Sequence, residues 1–216
     1  MGLEIISNTS STFVTIVGGK FTIRLPEGSD DSKAVERVLE KGPNAGSTIK
    51  ELQFNKLSGK IIGGYMDTSD YGTNLIIRLM DDSHDTFKLQ LPVESRYFGQ
   101  IVKRVSNINL DMNTEFILGY DNENDRPFMY IRQSNVTVPM AYTREKPNGM
   151  PEAVEKTVKG QKKLDFTDQE NFLFDVATEF VGKFDGSVGK SESGVEKVVE
   201  AFNAIETQTT DEEIPF

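Results

Sequence analysis

The sequence predicts a mainly β protein that ends in helices and an acidic tail. Apolar and polar residues alternate along several segments between residues 12 and 138, as expected for strands with one buried face. Glycines interrupt these segments where turns or bends are needed. Beyond residue 166, apolar residues recur at helical spacing instead. The 216 residues suffice for one large core with appendages, or for two small domains.

An N-terminal extension is predicted over residues 1–46. Segments 13–17 and 21–25 alternate in polarity around Gly18-Gly19, which is typical of a hairpin with a two-residue loop. Apolar residues at helical spacing in 30–41 then predict a short helix.

Residues 47–142 are predicted to form the central β domain. Its expected elements are strands 48–66, 74–80 and 86–91, a helix from Pro92, and strands 114–120 and 128–138. The first strand is long and has glycines where it bends. The β-β-β-α-β-β order is that of an OB-fold, a five-stranded barrel that binds single strands across one face and its flanking loops.

A helical extension with a linker is predicted over 143–206. A capping box at 167–170 precedes an apolar helical stripe that we expect to pack on the barrel. A Gly/Ser linker over 185–194 and a second capping box at 193–196 follow. The helix opened by that second box packs on the body or pairs with a partner. Residues 207–216 are predicted to be a disordered acidic tail.

Charge is divided unevenly along the chain. Residues 1–163 hold 21 basic and 21 acidic residues, whereas residues 164–216 hold 3 and 13, so the net charge of −10 lies in the last quarter. A neutral body can still carry a basic groove, because binding depends on local potential. A sharp change of sign between parts of a chain suggests an interaction tail.

The amino-acid composition limits the kinds of functional site that the protein can contain. The absence of cysteine excludes disulfides, thiolate metal sites and a cysteine nucleophile, and suits a reducing compartment. No apolar run reaches the length of a membrane span and the first residues do not resemble a signal peptide, so we expect a cytoplasmic protein without membrane contact. The single histidine, His84, lies in the acidic turn 81–85, which we interpret as a solvated hairpin loop. A metal-dependent nuclease using that turn is the enzymatic alternative. We expect no enzyme and no cofactor.

Residues suited to single-stranded nucleic acid recur in the central domain. Such binders need cations along the phosphates and aromatic faces on which bases stack. The candidates are Lys56, Lys60, Tyr65, Tyr71, Arg78, Lys88, Tyr120, Phe128, Tyr130 and Arg132. In the fifth strand two interpretations stay open. Either Phe128 and Tyr130 face the ligand, or they are core and Met129 and Ile131 face outward.

The last six residues are the most informative. They place an acidic cluster before an apolar tip: Asp211, Glu212, Glu213, Ile214, Pro215 and Phe216. Adjacent acids and Pro215 disfavour a helix, whereas a partner can use the Phe216 ring, the carboxylate and the acids together. The alternative is a chance acidic terminus.

This tip resembles the C-terminal tip of bacterial and phage single-stranded-DNA-binding proteins. The resemblance implies sequence-independent coating and protection of single-stranded DNA in replication, recombination and repair. It also implies recruitment of a polymerase, primase or helicase through the tip, and it allows a homo-oligomer. The short linker and intervening helices favour a phage-type variant.

A virion structural or assembly protein is the main alternative. A β-sandwich body with a docking tail would explain the β-rich chain and the missing catalytic motif. It would not explain why the tip carries Ile-Pro-Phe.

Overall fold

A ten-stranded mixed sheet forms the body of the protein. The computed structural model describes residues 11–40, 42, 44–121, 126–158 and 161–184. The strands of the sheet are β1 Thr12–Val17, β2 Lys20–Arg24, β3 Val35–Val38, β4 Thr48–Phe54, β5 Lys56–Ser69, β6 Gly72–Met80, β7 Thr86–Pro92, β8 Asn113–Asp121, β9 Arg126–Gln133 and β10 Val136–Thr137. The other elements are helix α1 Arg96–Val105, a separate hairpin of β11 Val154–Val158 and β12 Gln161–Asp165, and helix α2 Thr167–Gly182.

The strands lie in the order β10-β9-β8-β5-β6-β7-β1-β2-β4-β3. Every neighbouring pair is antiparallel except β1 and β7, which are parallel. Although four strands lie between β4 and β5 in this order, only Asn55 separates them along the chain. The sheet must therefore curve back on itself between them.

Both described helices pack on one face of this sheet. The face carries a continuous apolar core whose fully buried members include Val14, Phe21, Leu75, Leu89, Phe116 and Ile131. From α1, Ile101, Val102 and Val105 join the core. The predicted apolar stripe of α2 also packs there, with Leu173, Ala177, Phe180 and Val181 buried.

The N-terminal hairpin is confirmed. Gly18 and Gly19 have φ angles of 56° and 74°, the left-handed conformation that a tight hairpin loop requires at both positions. Strands β6, β7 and β8 and helix α1 also agree with the predicted elements. Strands of the predicted extension 1–46 and of the core 47–142 join the same sheet.

The expected barrel is present only in its coarser features. The mainly β class is confirmed, and β5, β6, β7, α1, β8 and β9 follow one another in the predicted order. Within the described chain, however, β7 pairs with β1 and not with β9, so no closed barrel is formed. On the other edge of β9, Gln100 of α1 accepts the Met129 N–H, and Val138 N–H donates to the Ile131 carbonyl at 2.8 Å.

The helix predicted over 30–41 is wrong. Residues 35–38 form β3, whose four residues pair with β4. Arg37 also donates three hydrogen bonds to Glu51 of β4, at 2.9 to 3.1 Å. This pairing with the next strand along the chain outweighs the local helical spacing.

Two predicted strands are each divided in two. The strand predicted over 48–66 breaks at Asn55 into β4, which pairs with β2 and β3, and β5, which pairs with β6 and β8. The strand predicted over 128–138 turns back at Ser134 and Asn135, which both have positive φ, so that β10 pairs with β9.

The predicted helical extension 143–206 also contains two strands that the sequence does not predict, because β11 and β12 form a hairpin before α2. The predicted capping box at 167–170 is not formed. Thr167 is the first residue of α2, and its hydroxyl donates to Asp165 Oδ1 at 2.6 Å instead of accepting from the helix. The linker 185–194, the second capping box at 193–196 and the tail 207–216 lie outside the described residues.

Candidate nucleic-acid interface

The sheet face opposite the core, here called the outer face, gathers most of the candidate residues. Strand registers place eight of the ten on it: Lys56, Lys60, Tyr65, Arg78, Lys88, Phe128, Tyr130 and Arg132. They come from β5, β6, β7 and β9, so the candidates spread across the sheet. Neither α1 nor α2, which pack on the core, covers them.

The orientation of β9 resolves the question that its sequence leaves open. Met129 and Ile131 are 2% and 0% exposed and belong to the core. Phe128 and Tyr130 therefore project from the outer face, where both are half-buried. Their rings stack with centroids 5.8 Å apart and an interplanar angle of 28°. We call Phe128 and Tyr130 the aromatic pair.

Gly119 of β8 makes room for the aromatic pair. It lies directly opposite Phe128 in the β8–β9 register. A Cβ atom at Gly119 would come within 2.6 Å of Phe128 Cε2, closer than such atoms approach. The Phe128 ring therefore lies across the bare backbone of β8, which keeps it against the sheet.

Arg132 borders a shallow depression next to the aromatic pair. The depression, of about 410 Å³, is lined by Tyr130, Arg132, Asn135 and Thr137. Arg132 Nη2 donates to the carbonyl and to Oδ1 of Asn135, both at 3.3 Å. The turn between β9 and β10 thus holds the guanidinium beside the Tyr130 ring.

Lys56 shares the outer face with a carboxylate. Its Nζ lies 2.8 Å from Glu115 Oε1, in a pair that is partly open to solvent. The hydrogen bond from Lys56 is the main cause that lowers the pKa of Glu115, and the charges of Lys56 and Arg132 add to it. Glu115 is therefore ionised at neutral pH and offsets part of the positive charge nearby.

The other cations of the outer face differ from Lys56 in their partners. Lys60, Arg78 and Lys88 form no ion pair with any residue that the structure describes. Arg78 lies against Gly63, since a Cβ there would be 3.6 Å from its Cδ and Nη1. Its Nε is buried without a hydrogen-bond partner among the described residues. The charge of Arg78 can therefore act on a ligand without first breaking a salt bridge.

Tyr65 lies on the same face and is 36% exposed. Burial is the main cause that raises the pKa of its hydroxyl, and Asp67 adds to this, while Arg78 opposes it. Tyr65 is accordingly a neutral aromatic side chain at physiological pH, with a ring close to Arg78.

Two candidates lie apart from the others. Tyr120 shares its strand face with Leu118 and Phe116, so it projects on the core side near the end of β8, where it is half exposed. Tyr71 is 91% exposed in the turn between β5 and β6. The partner-binding candidates 211–216 lie outside the described residues.

Phe13 is an outer-face residue that the sequence analysis misses. It pairs with Lys88 in the β1–β7 register, and Lys88 Nζ lies 5.1 Å from its ring centroid. The alternation of β1 indicates that Phe13 and Val14 face opposite ways. It does not indicate that β1 joins β7, which puts Phe13 beside the candidate cations.

The acidic turn 81–85 has a structural role. Asp81 Oδ1 accepts the N–H groups of Ser83 and Asp85, both at 2.9 Å. His84 has a positive φ, which suits the tight turn between β6 and β7. In the part of the chain that the structure describes, no group of three or more acidic or histidine side chains is placed to hold a metal ion.

Comparisons of the chain with family models, curated proteins and solved structures found no match. Neither of the two described helices combines the length and apolar composition needed to span a bilayer. The outer face and the sequence of the tail are therefore the features from which a function can be inferred.

Proposed function

We propose that this protein binds single-stranded DNA without reading its sequence, as a stoichiometric coating protein and not as an enzyme. The observation that carries this proposal is the aromatic pair on the outer face, with Arg132 beside it. Half-buried aromatic rings turned away from a core provide flat apolar surfaces for unpaired bases. Base–aromatic stacking contributes about 1–3 kcal/mol per base and tolerates any sequence.

The charges of the outer face support the same ligand. Five cations lie on it, Lys56, Lys60, Arg78, Lys88 and Arg132, and only Lys56 is in a salt bridge among the described residues. Cations spread over several strands can follow an extended phosphate chain. Duplex DNA would offer the phosphates but not the base faces, because its bases stack on each other.

The proposal includes a fold type as well as a function. We infer an OB-like core formed by β5, β6, β7, α1, β8 and β9. This core is open because β7 and β9 do not pair with each other. Two contacts support this inference. The side chain of Gln100 in α1 satisfies the Met129 N–H, and β1 takes the edge of β7 where the fifth strand of a closed barrel would pair.

Residues 211–216 complete the proposed function. Their acidic and apolar sequence suits recruitment of replication or recombination enzymes, as in the phage and bacterial proteins that the tip resembles. The protein then acts in the cytoplasm, which is that of the bacterial host if a phage encodes it. The tail can also compete with DNA for the cations of the outer face.

Fluorescence anisotropy of a labelled oligothymidine, against a duplex of equal length across a salt series, tests the proposal. We expect preference for the single strand, with a log–log salt slope of about −0.7 per phosphate contact. Tyr130→Ala should weaken binding about 5-fold or more. Phe166→Ala, which truncates an exposed aromatic residue outside the ten-stranded sheet, is the control and should bind as the wild type does.

Absence of binding by both the full chain and a chain lacking 207–216 would overturn the proposal. The assembly-protein alternative would then be the better explanation of the β-rich body and acidic tip.

A further inference from the structure

Besides Tyr65, a further exposed aromatic ring lies on the outer face, far from the aromatic pair. Phe13 of β1 is 50% exposed, although its neighbour Val14 is fully buried in the core. Leaving half of a phenyl ring in water forgoes part of the free energy that its burial would contribute. A ring exposed among cations is therefore in a position to contact a ligand.

The neighbours of Phe13 are the cations already assigned to the interface. Phe13 pairs with Lys88, and Lys88 in turn pairs with Arg78 in the β6–β7 register. The Lys88 ammonium lies 5.1 Å from the centroid of the Phe13 ring, within the range of a cation–π contact. This contact holds the charge of Lys88 beside the ring, and Lys88 forms no salt bridge with a residue that the structure describes.

The position of β1 sets the distance to the aromatic pair. From β9 to β1 the sheet order is β9-β8-β5-β6-β7-β1, which makes five strand spacings. At about 4.8 Å per spacing, the two aromatic positions lie about 24 Å apart across the strands. Along the strands they are offset by about another 20 Å, because Tyr130 is level with Lys56 of β5 and Phe13 is level with Gly63. Lys60, Arg78 and Lys88 project from the strands between them.

We propose that Phe13 is a second base-stacking subsite, with Lys88 as the phosphate contact next to it. The inference rests on the proposed binding of single-stranded DNA and extends it by defining where one end of the strand lies. One strand then runs across the sheet from the aromatic pair to Phe13. A base that stacks on Phe13 takes the place of the Lys88 ammonium, which turns to a phosphate.

Three substitutions at Phe13 separate stacking from packing. Phe13→Tyr keeps the aromatic face and should bind a long oligothymidine of about 16 nucleotides as the wild type does. Phe13→Leu keeps apolar volume without the aromatic face, and Phe13→Ala removes both. We expect both of these variants to lose about 5-fold to 150-fold in affinity for the long strand. Phe166→Ala is again the control for an exposed phenyl ring.

Strand length provides the second test. An oligothymidine of about 4 nucleotides is too short to join the two positions and can still bind at the aromatic pair. Phe13→Leu should therefore change its affinity by less than about 2-fold. Lys88→Ala should reduce the salt slope for the long strand by about 0.7, whereas Phe13→Leu should leave that slope unchanged.

Different binding results would contradict the second subsite and the proposed function. A wild-type protein that binds neither oligothymidine overturns both. A wild-type protein that binds the long strand, and a Phe13→Leu variant that binds it equally tightly, overturn only the second subsite. Equal losses for the short and long strands would also overturn it, because Phe13 would then act on the whole site.

Discussion

Gly119 lies beneath the ring of Phe128, on the neighbouring strand and in direct register. The glycine provides the space that lets the ring lie flat against the sheet and stack with Tyr130. A side chain on β8 at this position would lift the ring away from the surface. The lack of a side chain at Gly119 of β8 thus shapes the proposed binding surface on β9.

The substitution Gly119→Ala tests this relationship. The added methyl group collides with the end of a half-buried ring that can rotate outward, so we expect a larger effect on binding than on stability. Affinity for oligothymidine should fall about 5-fold or more, as for Phe128→Ala, in anisotropy titrations. The control is Gly182→Ala at the end of α2, where a Cβ meets nothing within 4 Å. Wild-type affinity in Gly119→Ala would show that the ring position does not matter for binding.

Removing the negative charge of Glu115 should strengthen DNA binding. Glu115→Gln releases Lys56 from its 2.8 Å salt bridge and removes an anion close to Arg132. We expect about 2-fold to 5-fold tighter binding at low salt, which corresponds to the small energies of exposed ion pairs. The gain should disappear at high salt because charges are then screened.

Glu155→Gln is the matched control for that experiment. It breaks an exposed lysine–glutamate pair, with Lys162, in the β11–β12 hairpin outside the ten-stranded sheet. If Glu155→Gln tightened binding as much as Glu115→Gln, the effect would come from net charge and not from the outer face.

Arg37 should be needed for stability because it neutralises a buried carboxylate. The Glu51 side chain is 2% exposed, and Arg37 and Gln53 both donate hydrogen bonds to it. Arg37→Ala should lower the free energy of unfolding by about 3 kcal/mol, measured by urea denaturation, because a buried charge is left unpaired. Lys162→Ala, at an exposed pair, should cost less than about 1 kcal/mol.

The double variant Arg37→Ala with Glu51→Gln tests whether the unpaired carboxylate causes the loss of stability. Replacing the carboxylate with an uncharged amide should restore part of the stability that Arg37→Ala loses. A double variant less stable than Arg37→Ala alone would contradict the explanation by an unpaired charge.

The Glu51 carboxylate should also make the stability of the folded protein depend on pH. Burial acts to raise the pKa of Glu51, but the hydrogen bonds from Arg37 and Gln53 and the charge of Arg37 outweigh it, so the pKa lies below its ordinary value. A lowered folded-state pKa stabilises the protein above the unfolded-state pKa of about 4.3 and loses this contribution as the pH falls through the folded value.

Glu51→Gln should therefore flatten the acid side of the stability curve. Urea midpoints of the wild type and Glu51→Gln, measured from pH 7 down to pH 3, should converge below about pH 4.3. A constant difference between the two proteins over this range would mean that Glu51 does not titrate differently on folding.

The amino-acid sequence determined the local structure where a residue pattern is compatible with only one type of element. Gly18-Gly19 required a tight turn, and the alternation in β6, β7 and β8 indicated strands with one apolar face. The apolar stripe of α2 likewise predicted which of its residues are buried. These features depend on the chain itself, through side-chain period and backbone freedom.

Tertiary structure decided the features that depend on contacts between elements. Residues 35–38 had helical spacing but became a strand because β4 pairs with them. Both faces of β9 were apolar enough to be buried, and contacts with the core selected Met129 and Ile131, leaving the aromatic pair outside. Phe13 joined the outer face only because β1 lies beside β7. Periodicity in a sequence separates two faces of a strand, but only packing determines which face is covered.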